Sequence, residues 1–240
     1  MKKIVLICIA FASVTAVFSQ NKNKIKKTDL SSRASDHFMV QFSADQWVGV
    51  ADSVKSHKSG ISRGANVYLM KEKTFKNNPH YAVGFGVGVG TSNMYFKKYG
   101  IDLKTTSTKL PFNSLDAADH FKKYKLTTAY LEIPVELRFV NDPTKSSKSF
   151  KAALGIKVGT LLNAHTKGKT LQNVSGSTIN SYTEKDNNKR FFNSSRVAVT
   201  GRVGYGNFSL FASYQVTGML KDGIGPVIKP LQLGFCISGL

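Results

Sequence analysis

The sequence predicts an all-β fold: an eight-stranded antiparallel up-and-down transmembrane β-barrel with short periplasmic turns and longer extracellular loops. Three observations carry the prediction. Bulky apolar residues alternate with polar or small ones in eight separate runs, as strands with two different faces require. The connections between runs alternate short and long, which sorts turns and loops onto opposite rims of a closed sheet. Most charges within the runs fall on the parity opposite the apolar residues; a Lys or Arg facing mid-bilayer lipid costs about 2–4 kcal/mol.

Residues 1–19 read as a secretory signal. Lys2 and Lys3 precede an apolar run from Ile4 to Val17, and Phe18-Ser19 offers the cleavage site. The run is too short for a comfortable membrane-spanning helix. Residues 20–35 are polar, basic and aperiodic, and are expected to form a flexible periplasmic lead segment. The barrel is assigned to residues 36–240.

The first strand is expected over residues 36–47, with Phe38, Val40, Phe42 and Ala44 opposite His37, Gln41, Ser43 and Asp45. The second, residues 61–72, sets Ala65, Val67 and Leu69 against Ser62, Gly64 and Asn66. From His80 to Asn93 the third strand is the most distinctive. It places Tyr81, Val83, Phe85, Val87 and Val89 on one face and Ala82, Gly84, Gly86, Gly88 and Gly90 on the other.

The fourth strand, residues 125–140, contains Pro134, which cannot donate to a ladder and implies a local bulge. The remaining strands are read at residues 150–167, 191–205, 208–216 and 230–240. Residues 73–79, 141–149 and 206–207 make the short turns, while residues 97–124 and 168–190 make the longest loops.

Phe38, Tyr81, Phe139, Phe150, Tyr205 and Phe208 all fall on the apolar parity at strand ends beside the short turns, where an interfacial aromatic girdle is expected. Glu132, Glu136, Arg138, Lys151, Lys157, Arg196 and Arg202 fall on the opposite parity and are expected to neutralise one another in the lumen. Arg63 and Lys125 are the clearest outward charges, both near the long-loop rim. Eight strands leave an interior just wide enough to be filled by side chains.

A formal charge of +20 invites a nucleic-acid partner. Export argues against one, and the basic residues are scattered without a recognition-helix or aromatic-platform pattern. Anionic headgroups of outer-membrane lipid and lipopolysaccharide are the expected counterparts. Beyond the signal only Cys236 remains, so no internal disulfide is expected. The five histidines lack metal-ligand spacing, and Gly84-Phe85-Gly86-Val87-Gly88 lacks the nucleotide-loop fingerprint. No catalytic, metal or cofactor residue is assigned.

The string Tyr130-Leu131-Glu132-Ile133-Pro134-Val135-Glu136-Leu137-Arg138-Phe139 resembles the Y-L-E-I-P-x-x-L-[RK]-[FY] signature of the outer-membrane β-barrel family of Bacteroidetes whose best-known branch is PorT. Ala153 to Gly159 and Pro230 to Phe235 support the resemblance. It implies an eight-stranded barrel in the outer membrane and, in the PorT branch, a part in type IX protein secretion. The function expected is that of a non-enzymatic scaffold or accessory component of the cell envelope, with envelope or secretion-complex proteins as partners. Two alternatives stay open at this point: a lipid-modifying enzyme carried on a barrel, and a soluble periplasmic barrel that binds a small ligand.

Overall fold

A computed structural model describes residues Phe38–Gly239; the signal, lead-segment and His37 assignments lie outside the described residues. Eight strands form the wall: β1 (Phe38–Val48), β2 (Arg63–Thr74), β3 (Tyr81–Phe96), β6 (His120–Val140), β7 (Phe150–Gln172), β9 (Ser195–Tyr205), β10 (Phe208–Gln215) and β11 (Lys229–Ser238). Each pairs antiparallel with its neighbour in sequence. β1 pairs with β11, and β6 pairs with β7, so the sheet closes on itself. Closure follows from the patterning: every strand has one apolar edge-to-edge face, and a cylinder leaves the wall no open edge.

The outer surface is apolar to an extent that water would not tolerate. Leu69, Leu154 and Leu210 are each more than 60% exposed, within a continuous band that includes Phe85, Val87, Ile133, Leu137, Ile156, Val203 and Phe235. None of the described helices is long and apolar enough to cross a membrane, so the strands are the spanning elements.

The expected strand positions hold, with three differences. β6 and β7 run far past the expected ends, and the sixth barrel strand starts at Ser195, leaving Phe191 and Phe192 outside it. The register shift in the β6–β7 ladder lies between Ala129 and Tyr130, not at Pro134; opposite it, Leu162 is skipped and the inward parity of β7 changes. Pro134 instead coincides with a gap in the β3–β6 ladder, where pairing passes from Phe85–Val135 to Gly88–Glu132. The missing N–H acts on one side of the strand only.

The long loops contain structure of their own. A short helix α1 (Asp52–Ser56) sits between β1 and β2, a hairpin of β4 (Tyr99–Ile101) and β5 (Phe112–Ser114) between β3 and β6, and β8 (Thr178–Asn187) pairs with the far end of β7. The helix and the hairpin pack with other loop residues around Trp47, Val54, Phe96, Tyr99, Leu103, Leu110, Phe191, Phe192, Met219 and Ile228, all buried in one cluster, while β8 stays exposed. Backbone bonds stitch the loops together: Leu110 N–H donates to Ile224 O (3.0 Å), Asn193 N–H to Met219 O (3.0 Å), and Lys97 N–H to His57 O (2.8 Å).

Candidate functional site

The interior is built from the glycine stripe outward. β-Carbons at Gly84, Gly86, Gly88 and Gly90 would run into Arg138, Met70, Tyr68 and Glu132 respectively. A Cβ at Gly88 would lie 2.7 Å from Tyr68 Cα, and one at Gly90 would lie 2.8 Å from Glu132 Oε2. The bare face of β3 is therefore the room into which the large lumenal side chains of β2 and β6 fold.

Two carboxylates on β6 organise the charges. Glu132 receives Arg196 Nη1 at 2.9 Å, lies 3.8 Å from Lys157 Nζ, and accepts a short hydrogen bond from the Tyr68 hydroxyl. Glu136 receives Arg138 Nε at 3.0 Å and Arg202 Nη2 at 3.2 Å; Arg138 also reaches Glu72 at 3.2 Å. Glu132 is 1% exposed and Lys157 2%, so these pairs are shielded from bulk water. On the other side of the lumen, Arg196 donates to Gln232 Oε1 (3.5 Å), and Gln232 donates to Asp45 (3.3 Å), which also accepts from Ser43. Among the described residues four carboxylates (Asp45, Glu72, Glu132 and Glu136) thus meet four cations (Arg138, Lys157, Arg196 and Arg202).

Of the seven residues expected in the lumen, six converge in this network. The seventh, Lys151, is half-buried at the short-turn end of β7, in register with Val140 and Gly204. Glu72, Tyr68 and Gln232 were not foreseen. Their inward parity was visible in the sequence, but the cross-barrel reach that connects them was not.

The six rings assigned to a girdle share the short-turn rim. Tyr81 and Phe139 are register partners with ring centroids 5.4 Å apart, and Tyr205 pairs with both Phe150 and Phe208. On the outward charges the structure corrects the expectation. Besides Arg63, Lys71 and Lys73 are exposed on the apolar face of β2, and they lie toward the short turns. Lys125 is half-buried and donates to Asn93 Oδ1 at 2.7 Å.

One polar cluster in the cap joins residues far apart in the chain. His57 Nε2 lies 3.0 Å from Asp116 Oδ2, His57 Nδ1 lies 2.6 Å from Ser53 O, and Ser114 Oγ donates to Asp116 Oδ2 at 2.8 Å. The His57 ring stacks on Tyr99, with centroids 4.8 Å apart. The hydrogen bond that the His57 ring donates to the helical carbonyl of Ser53, and then the one to Asp116, raise the His57 pKa above its ordinary 6.5. Hydrogen bonds from His57 and Ser114 hold the Asp116 carboxyl below its ordinary 3.8. Both Asp116 and Ser114 approach the same imidazole nitrogen, and the serine proton goes to the carboxylate. Such an arrangement clasps α1 to the β4–β5 hairpin and does not activate a nucleophile. Among the described residues no group of three or more His, Cys, Asp or Glu side chains is placed to hold a metal ion.

A profile of the outer membrane protein beta-barrel domain matches residues 12–218. Among solved structures the chain is similar to Neisserial surface protein A, at 16% identity over 85% of this chain and 97% of that one, with a TM-score of 0.35. It is also similar to the Yersinia pestis outer membrane protein Ail: in a phospholipid nanodisc at 16% identity, covering 84% and 97% with a TM-score of 0.31, and in a crystal at 11% identity, covering 84% and 95% with a TM-score of 0.30. No curated protein matches the chain. Since the family profile spans most of the sequence and the strands close into an eight-membered antiparallel barrel, the chain belongs to the outer-membrane β-barrel domain family and is an outer-membrane protein.

Proposed function

We propose that the protein is a sealed, non-enzymatic scaffold of the outer membrane, presenting an ordered extracellular cap and an open strand edge to partner proteins of the envelope. The observation that carries this reading is the double closure of the barrel. An ion-paired network fills the lumen, and an apolar cluster covers its mouth. A conduit needs a continuous wet path, whereas a scaffold needs rigidity and a surface.

The surface best suited to a partner is β8. Among the described residues it ends the sheet order and pairs with β7 alone, and it is exposed along nearly its whole length. Its first half, Thr178-Ile179-Asn180-Ser181-Tyr182, carries no charge to repel an added strand. Lipid and lipopolysaccharide around the wall complete the set of proposed partners. The resemblance of the Tyr130 to Phe139 string to PorT-like barrels extends the proposal to an accessory role in type IX secretion; that string supplies Glu132, Glu136 and Arg138 to the network.

Affinity purification from detergent-solubilised outer membranes tests the reading. A defined set of envelope proteins should co-purify with the wild type and be depleted with Ser181→Pro, a position skipped by the β7 ladder. Secretion components in that set would support the finer role. Identical co-purifying sets for the two chains would defeat the edge-docking proposal.

A further inference from the structure

Lys71 is a charge on the short-turn half of the outer wall. It is exposed on the apolar parity of β2, in line with Val67 and Leu69. A cation there needs an anion or a route to water. Beside Lys71 the wall has a groove of about 490 Å³, lined by Leu69, Met70, Lys71, Phe85, Gly86 and Val87. Its sides are the outward chains of Leu69, Phe85 and Val87, 61%, 46% and 46% exposed, and its floor is the backbone at Gly86. The groove lies where the β3–β6 ladder skips Gly86 and Val87 opposite Pro134, a stretch of wall unlike the rest of β3.

Depth places the two features at one lipid. Lys71 pairs with Phe85, four residues along β3 from the girdle residue Tyr81. On the other side of β2, the girdle residue Phe38 pairs with Leu69, so Lys71 lies at the girdle, two residues to the short-turn side of Phe38's level. A lysine stem reaching toward the short-turn rim carries its ammonium most of the way to the phosphates of the periplasmic leaflet. Lys73 pairs with Val83, nearer that rim, and the exposed Lys76 lies in the following turn. The carboxylate nearest in sequence, Glu72, points inward to Arg138.

We infer that the groove holds one acyl chain of an anionic glycerophospholipid of the periplasmic leaflet, whose phosphate is bound by Lys71. The apolar groove fixes the chain, and Lys71 selects for negative headgroups. The lipid thereby covers the section of wall weakened by the interrupted ladder.

Native mass spectrometry of the full-length protein released from nanodiscs of equimolar phosphatidylglycerol and phosphatidylcholine tests the inference. One phosphatidylglycerol should be retained in preference to phosphatidylcholine. Lys71→Gln should lower that preference about fivefold, the contribution expected of one lysine at an anionic surface. Leu69→Trp, which fills the groove while keeping Lys71, should lower total lipid retention. Lys125→Gln, at the opposite rim, should change neither. Retained lipid that mirrors the bulk mixture, or equal selectivity in wild type and Lys71→Gln, would overturn it. The heat-dependent gel shift of each variant shows whether the barrel has folded.

Discussion

At the scale of single residues, the barrel interior is governed by which side chains lie over which glycines. Adding a methyl group at Gly88 forces it against the Tyr68 backbone, whereas at Gly201 the nearest atom is Leu154 Cδ1 at 3.7 Å. Gly88→Ala should therefore destabilise by about 1–3 kcal/mol through overpacking, while Gly201→Ala should leave the midpoint of urea unfolding in lipid vesicles unchanged. Glu136 makes a sharper case. Glu136→Gln removes the charge shared by Arg138 and Arg202 without removing volume. The expected loss is about 3–5 kcal/mol, since cations remain buried with less compensation; the same unfolding midpoint measures it. Parity made Glu132, Glu136, Arg138, Lys157, Arg196 and Arg202 legible as inward residues from sequence. Lys71 was legible too, by the same parity, whereas Lys73 lies in a stretch whose sequence reads as a turn and which the structure adds to β2. The skipped Leu162 was hidden, because a bulge changes parity without changing composition.

At the scale of elements, eight alternating runs were enough to locate the wall, since period-two patterning is strong wherever one face meets lipid and the other meets charge. The cap was not legible. β4 and β5 are three residues each and carry no period of their own; they exist because Tyr99, Ile101 and Phe112 pack with side chains from other loops. The His57–Asp116 clasp joins positions 59 residues apart and leaves no local trace. Its linkage has a definite sign. A raised His57 pKa contributes stability that is fully present below 6.5 and is lost as pH rises through the folded-state value. A lowered Asp116 pKa contributes stability present above 3.8 and lost as pH falls through its own folded-state value. The clasp should thus be tightest between those limits. A nitroxide at position 117 should become more mobile as pH rises from 6 to 8, and His57→Phe should be mobile throughout. Equal mobility of the wild type at both pH values would contradict the clasp.

At the scale of the whole molecule, charge is partitioned by solvent. The lumen balances its acids against its bases, the wall presents hydrocarbon to lipid, and the excess of positive charge is left to the rims and loops. The balance in the lumen explains why a string such as Tyr130 to Phe139 can be so specific: it places two carboxylates and a guanidinium at alternate positions of one strand, and the rest of the barrel is arranged to meet them. Sequence patterning announced the closed cylinder because each strand must satisfy both solvents at once. The partners remained illegible, since a docking edge is defined by what it lacks on one side.

The central claim is that this barrel is shut, by ion pairs within and by an apolar cluster above. Conductance of the purified full-length protein in a planar lipid bilayer tests it most directly. The account predicts no stable open-channel steps for the wild type at neutral pH. Steady ohmic steps from the unmodified protein, persisting at physiological salt, would contradict it.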